Sequence, residues 1–366
     1  MKKIKLLAVT HHSRNNINPI RPEAAQIIGL HKSGVVDVTV ICNPKSTLIP
    51  HLEKEGIDVL TDPLDQKISR ATIIKIRRLL KEKKIDVLHL FNNIACSNGA
   101  TAAIGTDAKV IAYRGQTGNV SRFDPSSYLV MLHPRLDKII CVAKAIEEDL
   151  RGHLWGNKSK ATTVYKGHDR SWYQNEPANI ERYVKNSSSF KLSMVANLRP
   201  RKGLDVFMDA LALLPKEINI DVLLVGADPT SEKIKAMQER SGMPTRVHAL
   251  GYREDAPEVA AASDLMILPT TKREGLCRAV LEANSYGVPA IVSDTGGNAE
   301  LVKHGDSGLV VPPSDPQALA DAIYTLYQDR ELCAQYGKNA LRRVREKFNV
   351  EQGVKKTLSI YKELTN

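Results

Sequence analysis

Twelve short apolar runs, set apart by longer amphipathic stretches, constrain this chain more than any other feature. Six fall in the first half, at residues 4–9, 36–41, 87–90, 110–113, 139–142 and 162–165. Six fall in the second, at 192–195, 220–225, 247–250, 265–268, 290–292 and 309–311. Runs of Val, Ile and Leu without polar alternation suit strands buried on both faces of a parallel sheet, and the amphipathic stretches between them suit crossover helices. The chain therefore reads as two successive doubly wound α/β units. Its 366 residues agree, being enough for two domains of about 150–200 residues each. Between the units, residues 167–189 are polar and aperiodic and carry Asn175, Pro177, Asn186 and three consecutive serines, so the connection is placed there. Ligands of parallel sheets collect outside the carboxyl ends of the strands, and two such sheets facing each other would share one cleft.

Composition narrows the classes of function. The apolar runs stop far short of the ~20 residues that a membrane span needs. The opening Met1-Lys-Lys-Ile-Lys-Leu-Leu-Ala-Val is basic but reaches His11 and His12 before a secretory core develops, so a first strand is expected. Five cysteines (Cys42, Cys96, Cys141, Cys277, Cys333) are odd in number, scattered and without a CxxC pair. They suggest neither a disulfide framework nor a zinc site, and a reducing cytoplasm fits best. The net charge is +11, and the excess is all in the first half: 27 Lys+Arg against 16 Asp+Glu up to Arg170, then 25 against 25. Such a field favours an anionic partner, whether phospholipid surface, phosphorylated glycolipid or nucleic acid. Nucleic acid is set aside, since five Phe and two Trp are not interleaved with the cations and no recognised module is present.

Residues 263–290 hold the densest chemistry. A buried strand ends at Pro269, a polar loop follows, and a helix is predicted over 275–286, closed by Gly287 and Pro289. Glu274 stands at its entrance and Glu282 eight residues on. On one helix, positions eight apart differ by about 80° around the axis and ~12 Å along it, so two carboxylates could address different parts of one extended ligand. The N–H groups after Gly275 would favour phosphate. The plain alternative is a first-turn Glu favoured by the helix dipole and a second, solvated Glu.

Two further elements point the same way. In Met194-Val-Ala-Asn-Leu-Arg-Pro-Arg-Lys-Gly a strand runs into a loop with three cations, of which Lys202 is best placed to neutralise a leaving diphosphate. Arg201 reads equally as a solvated loop charge. In Asp294-Thr-Gly-Gly-Asn-Ala-Glu-Leu-Val two glycines follow a strand, giving either close backbone approach to a ligand or a tight turn.

These residues resemble glycosyltransferase family 4, also called the group 1 glycosyl transferases, retaining enzymes of the GT-B fold. The resemblance spans nearly the whole chain. It is strongest over 195–316, through Val225-Gly226, Leu250-Gly-Tyr-Arg253, Ala262-Ser-Asp-Leu, Glu274-Gly, Leu281-Glu-Ala, Gly287-Val-Pro, Gly296-Gly, Glu300-Leu-Val and Gly308-Leu-Val-Val-Pro-Pro. It implies two facing Rossmann-like domains with a deep cleft. Residues 1–170 would bind the acceptor and 171–347 the nucleotide-sugar donor, with a terminal helix over 348–366 crossing back to the first domain. By the same resemblance Glu282 would hold the donor ribose, Glu274 would face the sugar and its β-phosphate side, and Gly275, Leu276 and Cys277 would offer N–H groups to the phosphates paired with Lys202. Arg253 would join them.

Three departures stand out. Ala196-Asn197 replaces the family's Gly-Arg, leaving Arg199 or Arg201 to supply the second phosphate cation. His11-His-Ser-Arg-Asn-Asn-Ile-Asn-Pro replaces a glycine pair near the first strand. Arg114, in Tyr113-Arg-Gly-Gln-Thr-Gly-Asn, replaces the family's first-domain histidine and so alters the acceptor side. The chain has no Asp-x-Asp, so no metal or other cofactor is expected, and a helix N-terminus with cations would take the metal's place.

The acceptor is read from charge. Residues 67–84 carry eight cations and one acid, Glu82, with Ile68, Thr72, Ile76, Leu79 and Leu80 near one side. This is either a basic amphipathic helix for the anionic inner face of the plasma membrane or a surface helix packed on the sheet with a solvated basic face. A glycan or lipid-linked acceptor, such as an anionic glycolipid or surface-polysaccharide precursor, is the first expectation. Alternatives are a GT-B enzyme acting on a soluble sugar phosphate, a nucleotide-sugar epimerase, and a non-catalytic nucleotide-sugar-binding protein.

Overall fold

The structure, a computed structural model, describes residues 3–11, 21–184, 186, 188–197 and 199–366. It divides into two compact units, Met1–His168 with Phe348–Asn366, and Asp169–Lys347. The first contains β1 (Ile4–Val9), α1 (Arg21–Lys32), β2 (Val36–Cys42), α2 (Ile49–Lys54), β3 (Asp58–Thr61), α3 (Arg70–Glu82), β4 (Val87–Leu90), α4 (Asn93–Ala102), β5 (Lys109–Arg114), α5 (Pro125–Tyr128), β6 (Lys138–Cys141), α6 (Lys144–His153) and β7 (Ala161–Thr163). The second contains β8 (Phe190–Val195), α7 (Leu204–Ala212), β9 (Ile220–Val225), α8 (Glu232–Arg240), β10 (Val247–Gly251), α9 (Ala256–Ala261), β11 (Leu265–Leu268), α10 (Arg278–Ser285), β12 (Ala290–Ser293), α11 (Asn298–Leu301), β13 (Gly308–Val311), α12 (Pro316–Gln328) and α13 (Arg330–Lys347). A last helix, α14 (Val350–Thr365), belongs to the first unit.

Both sheets are parallel, with strand orders β3-β2-β1-β4-β5-β6-β7 and β10-β9-β8-β11-β12-β13. Each order reverses beside its first strand, the doubly wound arrangement that the alternating runs predict. All twelve predicted runs are strands. The strand missed is β3, whose Asp58-Val-Leu-Thr61 holds only two apolar residues and lies at the sheet edge with both of its ends exposed.

Three aspartates that immediately precede strands serve the fold. Asp86, Asp137 and Asp264 accept the N–H of the second residue of a neighbouring strand, from Lys5 (2.8 Å), Val110 (2.7 Å) and Lys191 (2.7 Å). Each satisfies a donor that no ladder partner reaches.

Right-handed crossovers place α1 and α2 on one face of the first sheet and α3 to α6 on the other. On the first face Ile27, Leu30, Leu48 and Leu52 pack with Ile360 and Tyr361 of α14 against the strands. Tyr361 Oη lies 2.7 Å from Nδ1 of His89, and burial pushes that imidazole down to about 3, so it stays neutral at physiological pH. The polar stretch 167–189 is more than a loose connection. Asn175 donates to the Glu258 carboxylate (2.6 Å), Ala178 N–H to the Glu258 carbonyl (3.0 Å), and Ile180 packs with Leu223, Val225 and Val259, which fixes it on α9 and β9.

Candidate active site

The helix carrying Glu282 starts later than its sequence suggests. It begins at Arg278 with Cys277 as its cap, not at Gly275. The cause is tertiary: the Gly275 carbonyl accepts from Gly297 N–H (3.2 Å), so it is taken out of any intrahelical ladder. Arg273 takes a left-handed conformation (φ 57°), and Glu274 stands in the loop. The helical arithmetic for the two glutamates therefore does not apply. Nor does the solvated alternative, because Glu274 is 7% and Glu282 4% exposed.

Three loops converge on Glu274. From the end of β8 the chain passes through one turn of 3-10 helix, Pro200–Lys202, to Gly203. Lys202 is buried and its Nζ lies 2.5 Å from Glu274 Oε2. Thr270 Oγ1 donates to the same oxygen (3.2 Å), Gly275 N–H to the other (3.3 Å), and an Arg201 nitrogen lies 3.7 Å away while donating to the Arg273 carbonyl (2.9 Å). Thr271 N–H donates to the Arg201 carbonyl (2.9 Å) and ties the two loops together. Gly203 has φ 74°, and a Cβ there would lie 2.0 Å from the Pro269 carbonyl oxygen, so this approach of backbones requires glycine.

The third loop follows β12. Ser293 Oγ and Thr295 Oγ1 donate to the Thr270 carbonyl, the latter at 3.2 Å. Gly296 has φ 54° and would place a Cβ 2.0 Å from the Glu274 carbonyl oxygen. Thr270, Ser293, Thr295 and the buried Asn298 were not singled out in the sequence, since single hydroxyls and amides carry no spacing signal. The Asn298 Oδ1 has no hydrogen-bond partner among the described residues.

Glu282 lies on α10 with Arg278 Nε 3.1 Å from its carboxylate. The Leu276 and Cys277 N–H groups that precede this helix have no hydrogen-bond partner among the described residues. Burial pushes the Cys277 thiol up and nearby Lys202 opposes this, so the group stays a neutral thiol.

Other predicted residues have other surroundings. Arg253 is committed to Asp255 through two hydrogen bonds (2.7 and 2.5 Å), which raise its pKa further. Asn197 and Arg199 are exposed, so of the two candidate phosphate arginines Arg201 is the one brought to Glu274. Arg114 belongs to the first unit, where it is buried, lowered in pKa by that burial against the opposing effect of Asp149, and donates to the Gly118 carbonyl. Its Nε has no partner among the described residues. The stretch 12–19, with its departure from the family's glycine pair, lies outside the described residues. Among the described residues no group of three His, Cys, Asp or Glu could hold a metal ion, and no helix is long and apolar enough to cross a membrane.

Residues 175–343 match the family described as glycosyl transferases group 1, and residues 27–172 match glycosyltransferase family 4. The N-acetyl-alpha-D-glucosaminyl L-malate synthase of Bacillus anthracis is 27% identical over 294 residues, covering 78% of this chain and 77% of that protein. The UDP-Gal:alpha-D-GlcNAc-diphosphoundecaprenol alpha-1,3-galactosyltransferase of Escherichia coli is 26% identical over 349 residues, covering 89% and 88%. Among solved structures, Anabaena HepE in complex with UDP superposes with a TM-score of 0.80 at 21% identity, over 98% of this chain and 100% of that one, and so shares its fold. The two family matches divide nearly the whole chain between them, and the chain belongs to the GT-B glycosyltransferases of family 4, with a group 1 second domain.

Proposed function

We propose that this glycosyltransferase moves a sugar, with retention of configuration, from a nucleoside-diphosphate sugar held by the second unit to an anionic glycolipid or surface-polysaccharide precursor held by the first. The observation that carries the donor side is the convergence of Lys202, Arg201 and the unpartnered N–H groups of Leu276 and Cys277 around Glu274, one helix start from the buried Glu282. Cations and free N–H groups at one point suit a diphosphate, and a buried carboxylate nearby suits the hydroxyls of a ribose.

On this reading the incoming diphosphate competes with Glu274 for Lys202, and Glu274 turns to the sugar. The bond from the sugar's anomeric carbon to the phosphate oxygen breaks as the acceptor oxygen adds on the same face. The acceptor's proton passes to the departing phosphate oxygen. Lys202, Arg201 and the loop N–H groups stabilise the charge that gathers on the diphosphate, so no metal is required. The acceptor side rests on the basic first half and on two relatives whose named products carry malate or a diphosphate-linked lipid. Arg114, with its unpartnered Nε, is the group proposed to meet that anion. A cytoplasmic location is proposed with the donor, and five buried cysteines that form no disulfide with one another support it.

A screen of UDP- and GDP-sugars by thermal shift is expected to raise the melting temperature for one donor, followed by sugar transfer that EDTA leaves unchanged. Stabilisation without any product would leave a binding protein. A released free or epimerised sugar would point to an epimerase, and a product on a soluble sugar phosphate to a synthase. A strict metal requirement would overturn the charge-stabilisation scheme.

A further inference from the structure

The first unit is lopsided. Among the described residues of that unit six large apolar side chains are exposed, Ile68, Ile74, Ile104, Phe123, Leu129 and Trp155, and these six belong to the layer built from α3 to α6 and their loops. The opposite layer of α1, α2 and α14 exposes none among the described residues. Charge follows the same division. Residues 66–160, which carry the α3–α6 layer, hold 17 Lys+Arg against 8 Asp+Glu, or +9 of the chain's +11, whereas residues 1–65 hold 8 against 7.

The apolar stripe of α3 is not the source of this exposure. Thr72, Ile76, Leu79 and Leu80 are buried in the unit, and Arg77 is spent on the carbonyls of Ala102 (3.1 Å) and Ile104 (2.9 Å) at the end of α4. The apolar stripe of that helix is therefore spent on packing within the unit, and its basic face is what it offers outward. What it leaves outward is Ile68 and Ile74 beside Arg70, Arg78 and Lys81.

The sharpest feature lies further along. Phe123 is 97% exposed and Trp155 64%. Both stand on a fixed support: Arg122 closes the end of α6 by donating to the carbonyls of Gly152, His153 and Leu154 (3.1, 2.9 and 2.8 Å), and its guanidinium lies 4.4 Å from the centre of the Trp155 ring. Trp155 Nε1 donates to Tyr128 Oη (3.0 Å), which itself donates to the Arg122 carbonyl (3.0 Å). A Phe ring held out in water on a rigid support gains nothing for the monomer.

We propose that the α3–α6 face docks on an anionic bilayer surface, with Phe123 and Trp155 entering the interface and Arg70, Arg78, Lys81 and Lys158 meeting the headgroups. A sugar-stacking platform fits the geometry less well. Arg122 covers one face of Trp155, and Arg122 is itself tied to the last turn of α6, the end of that helix away from the carboxyl end of β6 where parallel sheets gather ligands. The inference does not rest on the transferase reading, since vesicle binding is measured without turnover.

The test uses the full chain with phosphatidylcholine vesicles, with and without phosphatidylglycerol. Wild type is expected to sediment only with the anionic vesicles, less so as salt rises. Phe123→Ser should weaken that partition by about tenfold or more, with the melting temperature unchanged. Leu213→Ser, at a half-exposed apolar position on the second unit, should bind as wild type. In a Trp172→Phe background, Trp155 emission should shift to the blue on binding. Binding indifferent to lipid charge, or equal binding by Phe123→Ser and wild type, overturns the proposal.

Discussion

Lys202→Ala is expected to lower turnover by about 10²- to 10³-fold, the range for loss of one preorganised charge contact at a reacting centre. It should also destabilise the protein. Lys202 and Glu274 are each about a tenth exposed and 2.5 Å apart, so removing one partner leaves the other buried and unpaired, at a cost of about 3–5 kcal/mol. Here the loss should fall at the low end, because Arg201 at 3.7 Å, Thr270 Oγ1 and Gly275 N–H remain around the carboxylate. Stability and catalysis separate in the double variant Lys202→Met with Glu274→Gln. With no charge left unpaired, its melting temperature should recover toward wild type, while turnover stays as low as in the worse single variant. Calorimetry beside steady-state kinetics reads both quantities. Wild-type turnover in Lys202→Ala, or recovery of activity along with stability in the double variant, would show that the pair is only a structural ion pair.

Parallel strands were legible because burial on both faces makes them continuous apolar runs, and a run of four to six such residues has few other readings. The edge strand β3 was not, because an edge needs less apolar surface. Glu274, Glu282 and Lys202 could be singled out as candidates in the sequence, but their geometry could not be read there. The start of α10 was set by a hydrogen bond from Gly297, 22 residues further on than Gly275, and no local propensity encodes that contact. The choice between Arg199 and Arg201 likewise depended on which side of the 3-10 turn faces the loop after β11. Arg253, a cation in a motif-rich stretch, has its anion two residues away at Asp255, a pairing that the motif itself does not announce. The exposure of Phe123 had no signature either, since an aromatic between Arg122 and Asp124 reads as core or surface with equal ease until its neighbours are placed.

Gly296→Ala is expected to reduce turnover about 10²-fold without touching a single side chain of the cluster, the size of effect that a 1 Å misplacement can have. The position demands glycine twice. Its φ of 54° is one that an L side chain adopts only under strain, and the new Cβ would meet the Glu274 carbonyl oxygen at 2.0 Å and its carbonyl carbon at 2.7 Å. Backbone faces backbone there, so no rotamer change can relieve the contact, and the 273–275 segment must shift. That segment orients the Glu274 carboxylate toward Lys202 and carries the Gly275 carbonyl that holds Gly297. Displacing it should change the chemical step more than donor affinity, because Glu282 lies on α10 beyond the moved residues. Gly305→Ala provides the control: it has a comparable φ of 72° but nothing within 4 Å of the added Cβ, so it should carry the backbone strain alone and keep its turnover. Equal losses in the two variants would mean that strain alone, rather than the position of Glu274, accounts for the effect.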